Sequence, residues 1–268
     1  MTTAPAVSGS GAFYVFDGYY WGCKTDVTDI VRNYSNNANL GATPKVYGIG
    51  NGTYSISNLV SDTSCVQDPG TICTSAYAGW SLVIIYSDAT TTGHQLYLFD
   101  EFRSIANTSG NNPIAISGFI TPARISGEST GADAVKLSVF VGEGDKQLYP
   151  DSVGLRDQTN PATDNWLWDG VTDDPNDTQA SPNDAFNSES INGASLSGGY
   201  LNAPGVDIDT FHIPWSAGLV QQNDTTAAIN IYTNGDGLVS IYVIASFRSS
   251  VTSGGSVSYL IKRKNSSP

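Results

Sequence analysis

The stretch GWSLVIIYSDATTTGHQLYLFDEF (residues 79–102) decides the fold class of this 268-residue chain. Its apolar run Leu82–Tyr86 is too short for a core helix and rich enough in β-branched residues to predict a buried strand. A polar break containing Gly93 follows, and residues 96–100 then alternate with a period of two, which predicts a second strand. A hairpin of two strands has open edges that need more strands, so the stretch predicts a larger β-sheet.

Further strand signals recur along the rest of the chain. Short runs rich in Val, Ile, Tyr and Phe are separated by turn residues, a spacing typical of sandwiches and barrels. The predicted strands are Ala12–Phe16, Pro44–Ile49, Thr53–Val60, Ile114–Ile120, Ala134–Val141, Gln147–Leu155, Val206–Ile213, Ala227–Thr233 and Leu238–Phe247. One short helix is predicted near residues 26–34, where Asp26 can cap an apolar face. We therefore predict an all-β protein, a single large β-sandwich of the jelly-roll or immunoglobulin-like type.

The predicted domain organisation follows the changes in composition. Residues 1–11 are small and polar and are predicted to form an N-terminal arm or linker. Residues 12–250 form the β-sandwich domain, and residues 251–268 form a C-terminal tail with a terminal strand at 257–261. The arm shows no leader peptide, so we expect a mature form. No apolar run has the length of a transmembrane helix.

Charge and composition restrict the classes of function. The formal net charge of −13 at pH 7 argues against nucleic acid, whose phosphates require a basic surface. Charged residues are only 14% of the chain, and Ser, Thr and Asn carry most of the polarity, a balance typical of secreted and cell-surface β proteins. Six Asn-x-Ser/Thr sequons permit glycosylation; they begin at Asn33, Asn51, Asn107, Asn176, Asn223 and Asn265.

Two of the three cysteines suggest a disulfide. Cys65 and Cys73 flank a Pro-Gly turn, so a local disulfide across that loop is predicted, with two unrelated thiols as the alternative. A disulfide would indicate an oxidising, extracellular compartment. Cys23 is left over, and we expect a buried thiol there rather than an intermolecular bridge.

The sequence predicts no catalytic residues. Residues 127–131 (GESTG) match the nucleophile elbow of α/β-hydrolases, but a strand pattern follows them where that motif requires a helix. We therefore predict a surface turn at residues 127–131. Neither His94 nor His212 has a second ligand at metal spacing, which argues against a zinc enzyme.

The long segment from Arg156 to Ser190 carries the remaining candidate sites. Its carboxylates are hard oxygen ligands suited to calcium, with a merely solvated acidic loop as the alternative; the candidate ligands are Asp164, Asp169, Asp173, Asp174 and Asp177. Trp166 and Trp168 share one face of an extended segment, so they could stack against a sugar ring or instead fix the loop to the sheet. Asp207 and Asp209 share one face of a predicted strand, where backbone donors are the expected partners.

Eight segments resemble an uncharacterised extracellular β-sandwich domain of large bacterial and archaeal cell-surface proteins, often found beside repeated immunoglobulin-like modules. They are TDVTDIV (25–31), NGTYSISNL (51–59), YAGWSLVIIYSD (77–88), LYLFDEF (96–102), VGEGD (141–145), PNDAFNSES (182–190), GVDIDTF (205–211) and NGDGLVSIYVIASF (234–247). The resemblance runs from about residue 12 to about residue 250 and implies one extracellular β domain without assigned catalytic residues. Asp100-Glu101 departs from the expected Asp-Gly, and the Cys65–Cys73 loop is particular to this chain.

The residues and the resemblance together predict a non-enzymatic extracellular protein of the cell surface. Its expected role is structural or adhesive, as a self-assembling filament or pilus-like subunit joined by β-strand addition. The expected partners are other copies of the chain or other cell-surface proteins. The alternative is a carbohydrate-binding module that uses the aromatic residues of the 156–190 loop, with glycans as partners. No cofactor is predicted apart from the calcium ion considered above.

Overall fold

The chain divides into two compact units, which we describe separately. The first comprises Met1–Tyr14 with Gly18–Asp88, and the second comprises Val15–Asp17 with Ala89–Pro268. The computed structural model describes residues 12–15, 18–31, 54–58, 78–85, 93–100, 102–105, 113–142, 150–167, 185–186, 189–191, 201–202, 206–234, 237–249 and 260–262. The predicted arm and most of the predicted tail lie outside these residues, so the predicted domain boundaries stay a prediction.

The described part of the first unit contains a two-stranded sheet and a helical turn. The sheet pairs β1 (Ala12–Val15) with β2 (Gly18–Trp21). Helical residues span 28–31, where Asp26 accepts a hydrogen bond from the backbone N–H of Thr28 (2.8 Å). A side-chain oxygen in this position satisfies one of the open N–H groups of a helix start. The predicted short helix near residues 26–34 is therefore confirmed.

All other strands belong to the second unit. They are β3 (His94–Phe99), β4 (Arg103–Ile105), β5 (Ile114–Ser117), β6 (Asp133–Gly142), β7 (Asp151–Arg156), β8 (Asn165–Trp166), β9 (Glu189–Ile191), β10 (Leu201–Asn202), β11 (Val206–Pro214), β12 (Thr226–Thr233), β13 (Leu238–Arg248) and β14 (Leu260–Lys262). A 3-10 helix, Trp215–Ala217, follows β11. Eight strands form a large sheet in the order β10-β9-β11-β6-β13-β3-β14, with β4 also paired to β13, and four form a small sheet in the order β5-β12-β7-β8.

The two sheets pack face to face around one apolar core. In β12, Ala227, Ile229 and Ile231 are buried while Ala228 and Tyr232 are only half-buried, because successive side chains point to opposite faces of a strand. The same alternation in β11 buries Phe211 and Ile213. The core cluster draws on both sheets. The predicted all-β sandwich is therefore confirmed.

The prediction of a first hairpin strand at Leu82–Tyr86 is wrong. Residues 81–85 contain neither strand nor helix, and Val83, Ile84 and Ile85 are each 37% exposed. Residues 54–58, predicted as strand, also lack regular structure, whereas Pro44–Ile49 lies outside the described residues. The physical reason is that an uninterrupted apolar run has no period, so it cannot identify the face to be buried.

The second predicted strand of the hairpin, residues 96–100, is confirmed as β3. Its partners are strands other than the predicted first strand of the hairpin. β3 pairs antiparallel with β13, where Phe99 lies opposite Val243 and His94 opposite Arg248. On its other side β3 pairs in parallel with β14, where Tyr97 lies opposite Leu260. Sequence-distant strands therefore satisfy both edges of β3.

Candidate functional site

The candidate site lies on the outer face of the small sheet. Val153 and Leu155 of β7 point into the core, so the intervening Gly154 points outward. Gly154 lies opposite Asn230 of β12 on one side and opposite Trp166 of β8 on the other. Directly paired residues share a face of a sheet. The register therefore places Trp166, Gly154 and Asn230 in one outward-facing row.

Two aromatic rings form what we call the aromatic platform: Trp166, which lies over Gly154, and Tyr232, which lies beside Trp166. A β-carbon at residue 154 would lie 3.0 Å from the indole carbons Cε3 and Cζ3 of Trp166, so the indole packs directly on the glycine. The ring centroids of Trp166 and Tyr232 are 5.9 Å apart, with an angle of 47° between the rings. Trp166 remains 40% exposed. The platform thus presents an aromatic surface to solvent on the short strand β8, which pairs with β7.

Three polar side chains beside the platform form what we call the polar brace: Arg156, Asp164 and Asn230. Arg156 donates from Nε to Asp164 Oδ1 (2.6 Å) and from Nη2 to Oδ2 (2.9 Å). Asn230 donates from Nδ2 to the same Oδ2 (3.0 Å). The side chains of Arg156 and Asp164 are each only 11% exposed, and the hydrogen bond to Asp164 raises the pKa of the Arg156 guanidinium. Because Asp164 is two residues from Trp166, the brace fixes β8 against β7 and β12.

The turn between β7 and β8 is held by Asp157. Its Oδ1 accepts hydrogen bonds from the backbone N–H groups of Thr159 (2.8 Å) and Asn160 (2.7 Å). Asn165 donates to the Asp157 carboxylate (3.3 Å) and to the Leu155 carbonyl (3.0 Å). Burial alone would raise the pKa of Asp157, but a hydrogen bond from the Thr159 hydroxyl, together with the backbone and Asn165 hydrogen bonds, outweighs it and lowers the pKa. The short strand β8 is therefore anchored at both of its residues.

The chemistry of this arrangement suits recognition of a ligand surface. Aromatic faces carry partial negative charge and attract the weakly positive C–H groups of a sugar ring. The polar brace pairs one guanidinium with one carboxylate, so it adds no net charge to the site. Rigid placement by neighbouring hydrogen bonds reduces the ordering that binding would otherwise require.

The predicted site residues of the long loop are only partly described. Trp166 is part of the platform, whereas Trp168 lies outside the described residues. Of the predicted calcium ligands, Asp164 is placed in the polar brace; the other four, Asp169, Asp173, Asp174 and Asp177, lie outside. Within the described part of the chain, no group of three or more His, Cys, Asp or Glu could hold a metal ion. Calcium binding stays a prediction.

Asp207 and Asp209 lie on the inner face of β11. Both are buried, in alternation with the half-buried Ile208 and Thr210. The prediction that they share one face of a strand is confirmed. Asp151, at the start of β7, is also buried, and its Oδ1 accepts a hydrogen bond from the backbone N–H of Phe186 (3.0 Å).

The GESTG segment forms a surface turn, as predicted. Gly127 has a φ of +85°, and Ser129 Oγ accepts a hydrogen bond from the N–H of Gly131 (3.0 Å). Arg248 donates from Nη2 to the carboxylate of Glu128, at 2.9 Å from Oε1 and 3.1 Å from Oε2. These contacts tie the turn to β13 and give Ser129 a local structural role.

Most of the residues predicted to form a disulfide or to carry glycans lie outside the described residues. Cys65 and Cys73 lie there, as do all sequons except that of Asn223, which is exposed in a turn with a φ of 72°. The disulfide and the glycans stay predictions. The prediction that Cys23 is buried is wrong, because this residue lies in the connection between β2 and the helical turn, where residues 23–26 are all exposed.

Sequence reasoning missed most of the site apart from Trp166 and Asp164. The 156–190 segment was predicted as loop, yet it contains β8. Gly154, Asn230 and Tyr232 belong to predicted strands, but nothing in the sequence indicated that these strands are neighbours. The sequence contained one indication of the site: Gly154 lies inside a predicted strand, where a glycine often marks the close approach of another group.

Comparisons with protein-family models, with curated proteins and with solved structures found no match to this chain. The resemblance to a cell-surface domain therefore stays a prediction, and the function is argued from the site. Among the helices in the described residues, none is long and apolar enough to cross a membrane.

Proposed function

We propose that this protein is a non-enzymatic extracellular adhesive module that binds saccharides through the aromatic platform. One observation carries the proposal: Trp166 is held on Gly154 and beside Tyr232 while 40% of it stays exposed. Exposed aromatic side chains on rigid supports are typical of recognition surfaces. The composition, low in charge and rich in Ser, Thr and Asn, is compatible with an extracellular role.

The alternative role for Trp166 is to stabilise the sheet. An aromatic side chain that covers a cross-strand glycine supports strand pairing, and β8 contributes only two paired residues. That role requires only the ring face that contacts Gly154. Covering Gly154 does not require the polar brace, which holds the segment that carries Trp166 by joining Asp164 to β7 and β12. Such fixation favours binding, since a pre-positioned ring loses little freedom when a ligand stacks on it.

The experiment is a glycan array probed with the wild-type protein and two variants. Trp166→Ala should abolish retention on the glycans that the wild type binds, because the stacking surface is lost. Trp80→Ala is the matched control, since Trp80 is similarly exposed at 38% and belongs to the first unit. Equal binding by all three proteins, or no binding by the wild type, would contradict the proposal. Thermal unfolding of each variant separates lost binding from lost folding.

A different observation supports a second candidate, self-assembly into a filament by β-strand addition. Among the described strands, β14 lies at an edge of the large sheet, where Leu260, Ile261 and Lys262 pair with β3. A strand of a second copy could pair at the same edge. Lys262, Arg263 and Lys264 lie in or next to β14, in a chain whose net charge is −13, and opposite charges favour association.

Light scattering of a variant lacking residues 257–268 tests the second candidate. We expect polymers from the wild type and a folded monomer from the deletion variant, since the described core cluster is formed by other strands. Polymers from the deletion variant, or a wild type that stays monomeric at every concentration, would contradict assembly through β14.

A further inference from the structure

On the outer face of the small sheet, the described charged groups beside the aromatic platform neutralise each other, although the protein is strongly acidic. The net charge is −13, yet among the described residues on this face of the small sheet the ionic groups beside the platform are Arg156 and Asp164, which neutralise each other. Next to them on the same sheet face, Ala115, Ala228 and Thr226 alternate with buried core residues and carry no charge. The described part of the face around Trp166 thus consists of aromatic rings, an ion pair and small uncharged side chains.

We propose that the platform selects neutral pyranose saccharides and discriminates against acidic ones. This inference rests on the proposed function and names its ligand class. A uronate or sulfate group needs a cation to offset the loss of its hydration on binding. The cation nearest to Trp166 within the polar brace, the Arg156 guanidinium, already makes a bidentate pair with Asp164. An acidic sugar would therefore have to compete with Asp164 for Arg156.

The electrostatic field of the whole protein also disfavours acidic saccharides. A net negative charge repels polyanions and lowers their rate of association at moderate ionic strength. Stacking on an indole depends instead on C–H groups exposed on one face of the sugar ring, which neutral pyranoses provide. Both the local contacts and the overall charge therefore favour an uncharged ligand.

The test uses hexasaccharides that differ only at C6, measured by calorimetry in 150 mM salt. The pairs are hexamers of glucose and glucuronate, of galactose and galacturonate, and of mannose and mannuronate, each pair with identical linkages. In every pair of which a member binds, we expect the neutral hexamer to bind about tenfold or more tightly than its acidic partner. An acidic hexamer that binds as tightly as its neutral partner would overturn this inference and leave saccharide binding intact. If none of the six binds, both proposals fail.

The variant Asp164→Asn tests the local part of the argument. It removes the carboxylate that neutralises Arg156, so the ratio of acidic to neutral affinity should rise. The ratio is informative even where the variant weakens all binding, because both hexamers meet the same altered platform. A ratio unchanged from wild type, in a variant that still unfolds cooperatively, would contradict the role given to the ion pair.

Discussion

The indole of Trp166 lies so close to Gly154 that a β-carbon there would come within 3.0 Å of two indole carbons. It would also come within 3.2 Å of Asp164 Cβ. The platform and the polar brace therefore meet at a residue that has to lack a side chain. This relationship links the sheet geometry to the proposed binding surface.

Replacing Gly154 by Ala should displace the indole. We expect a loss of stability of about 1–3 kcal/mol, the usual effect of forcing an extra carbon into a packed site, together with weaker saccharide binding. The control is Gly131→Ala, where the added carbon would meet only Ser129 Oγ at 3.4 Å. Urea unfolding and calorimetry measure both effects. Unchanged stability and affinity in Gly154→Ala would contradict the packing described.

The Arg156–Asp164 pair should stabilise the protein through its geometry as well as its charge. Asp164→Asn leaves a guanidinium that is mostly buried without its counter-charge, so we expect a loss of about 1–3 kcal/mol. Arg156→Lys keeps the charge but cannot form the two parallel hydrogen bonds, and it should lose part of the same energy. In a double-mutant cycle, effects that add within about 0.5 kcal/mol would show that the two side chains do not act as a pair.

His94 should make stability depend on pH. Its Nδ1 lies 2.9 Å from Ser246 Oγ, and burial, then the charges of Arg248 and Lys136, lower its pKa, against smaller opposing effects of Asp133 and Glu128. The unfolded chain then binds a proton more readily than the folded one. Stability is thus complete above the unfolded pKa of about 6.5 and falls as the pH drops towards the folded pKa.

Urea unfolding between pH 7.5 and pH 5 measures this effect. The variant His94→Asn removes the titrating ring and keeps a polar side chain near Ser246, so its stability should change less over the same range. An equal dependence on pH in the variant and the wild type would assign the effect to other groups.

The Arg248–Glu128 pair should affect stability without affecting binding. Arg248 is only 3% exposed and belongs to the large sheet, whereas the platform lies on the small sheet. Arg248→Met leaves the Glu128 carboxylate without its cationic partner, and we expect a loss of about 2–4 kcal/mol. Calorimetry on the folded variant should give the saccharide affinity of the wild type. A matching loss of affinity would show that general destabilisation alone explains the effects at the platform.

The fold was predictable where one face of a strand is buried. In β12 the buried Ala227, Ile229 and Ile231 recur with a period of two, so both the strand and its inner face could be predicted. In β11 the period of two identifies the strand, but not its inner face, because Asp207 and Asp209 are buried there while Ile208 is only half-buried. The run Leu82–Tyr86 offers no such alternation, and its assignment failed for that reason. Strand order was not predictable, because pairings such as that of Phe99 with Val243 join residues far apart in the sequence.

Of the aromatic platform, only Trp166 could be predicted from the sequence. An aromatic side chain among carboxylates marks Trp166 in the sequence, but its contacts come from Gly154 and Tyr232 on two other strands. Asp164 was predicted as a calcium ligand because acidic residues are dense around it. The sequence could not show that Arg156, eight residues earlier, lies against the same carboxylate. Local composition identifies charged groups without identifying their partners.

The most direct test of saccharide binding at Trp166 is saturation-transfer NMR with a neutral hexasaccharide that the wild type binds. Irradiating the aromatic protons of the protein should transfer saturation to the C–H protons on one face of a pyranose ring. We predict that this transfer disappears in Trp166→Ala and persists in Trp80→Ala. Transfer that persists in a folded Trp166→Ala, or its absence from the wild type, would contradict the account.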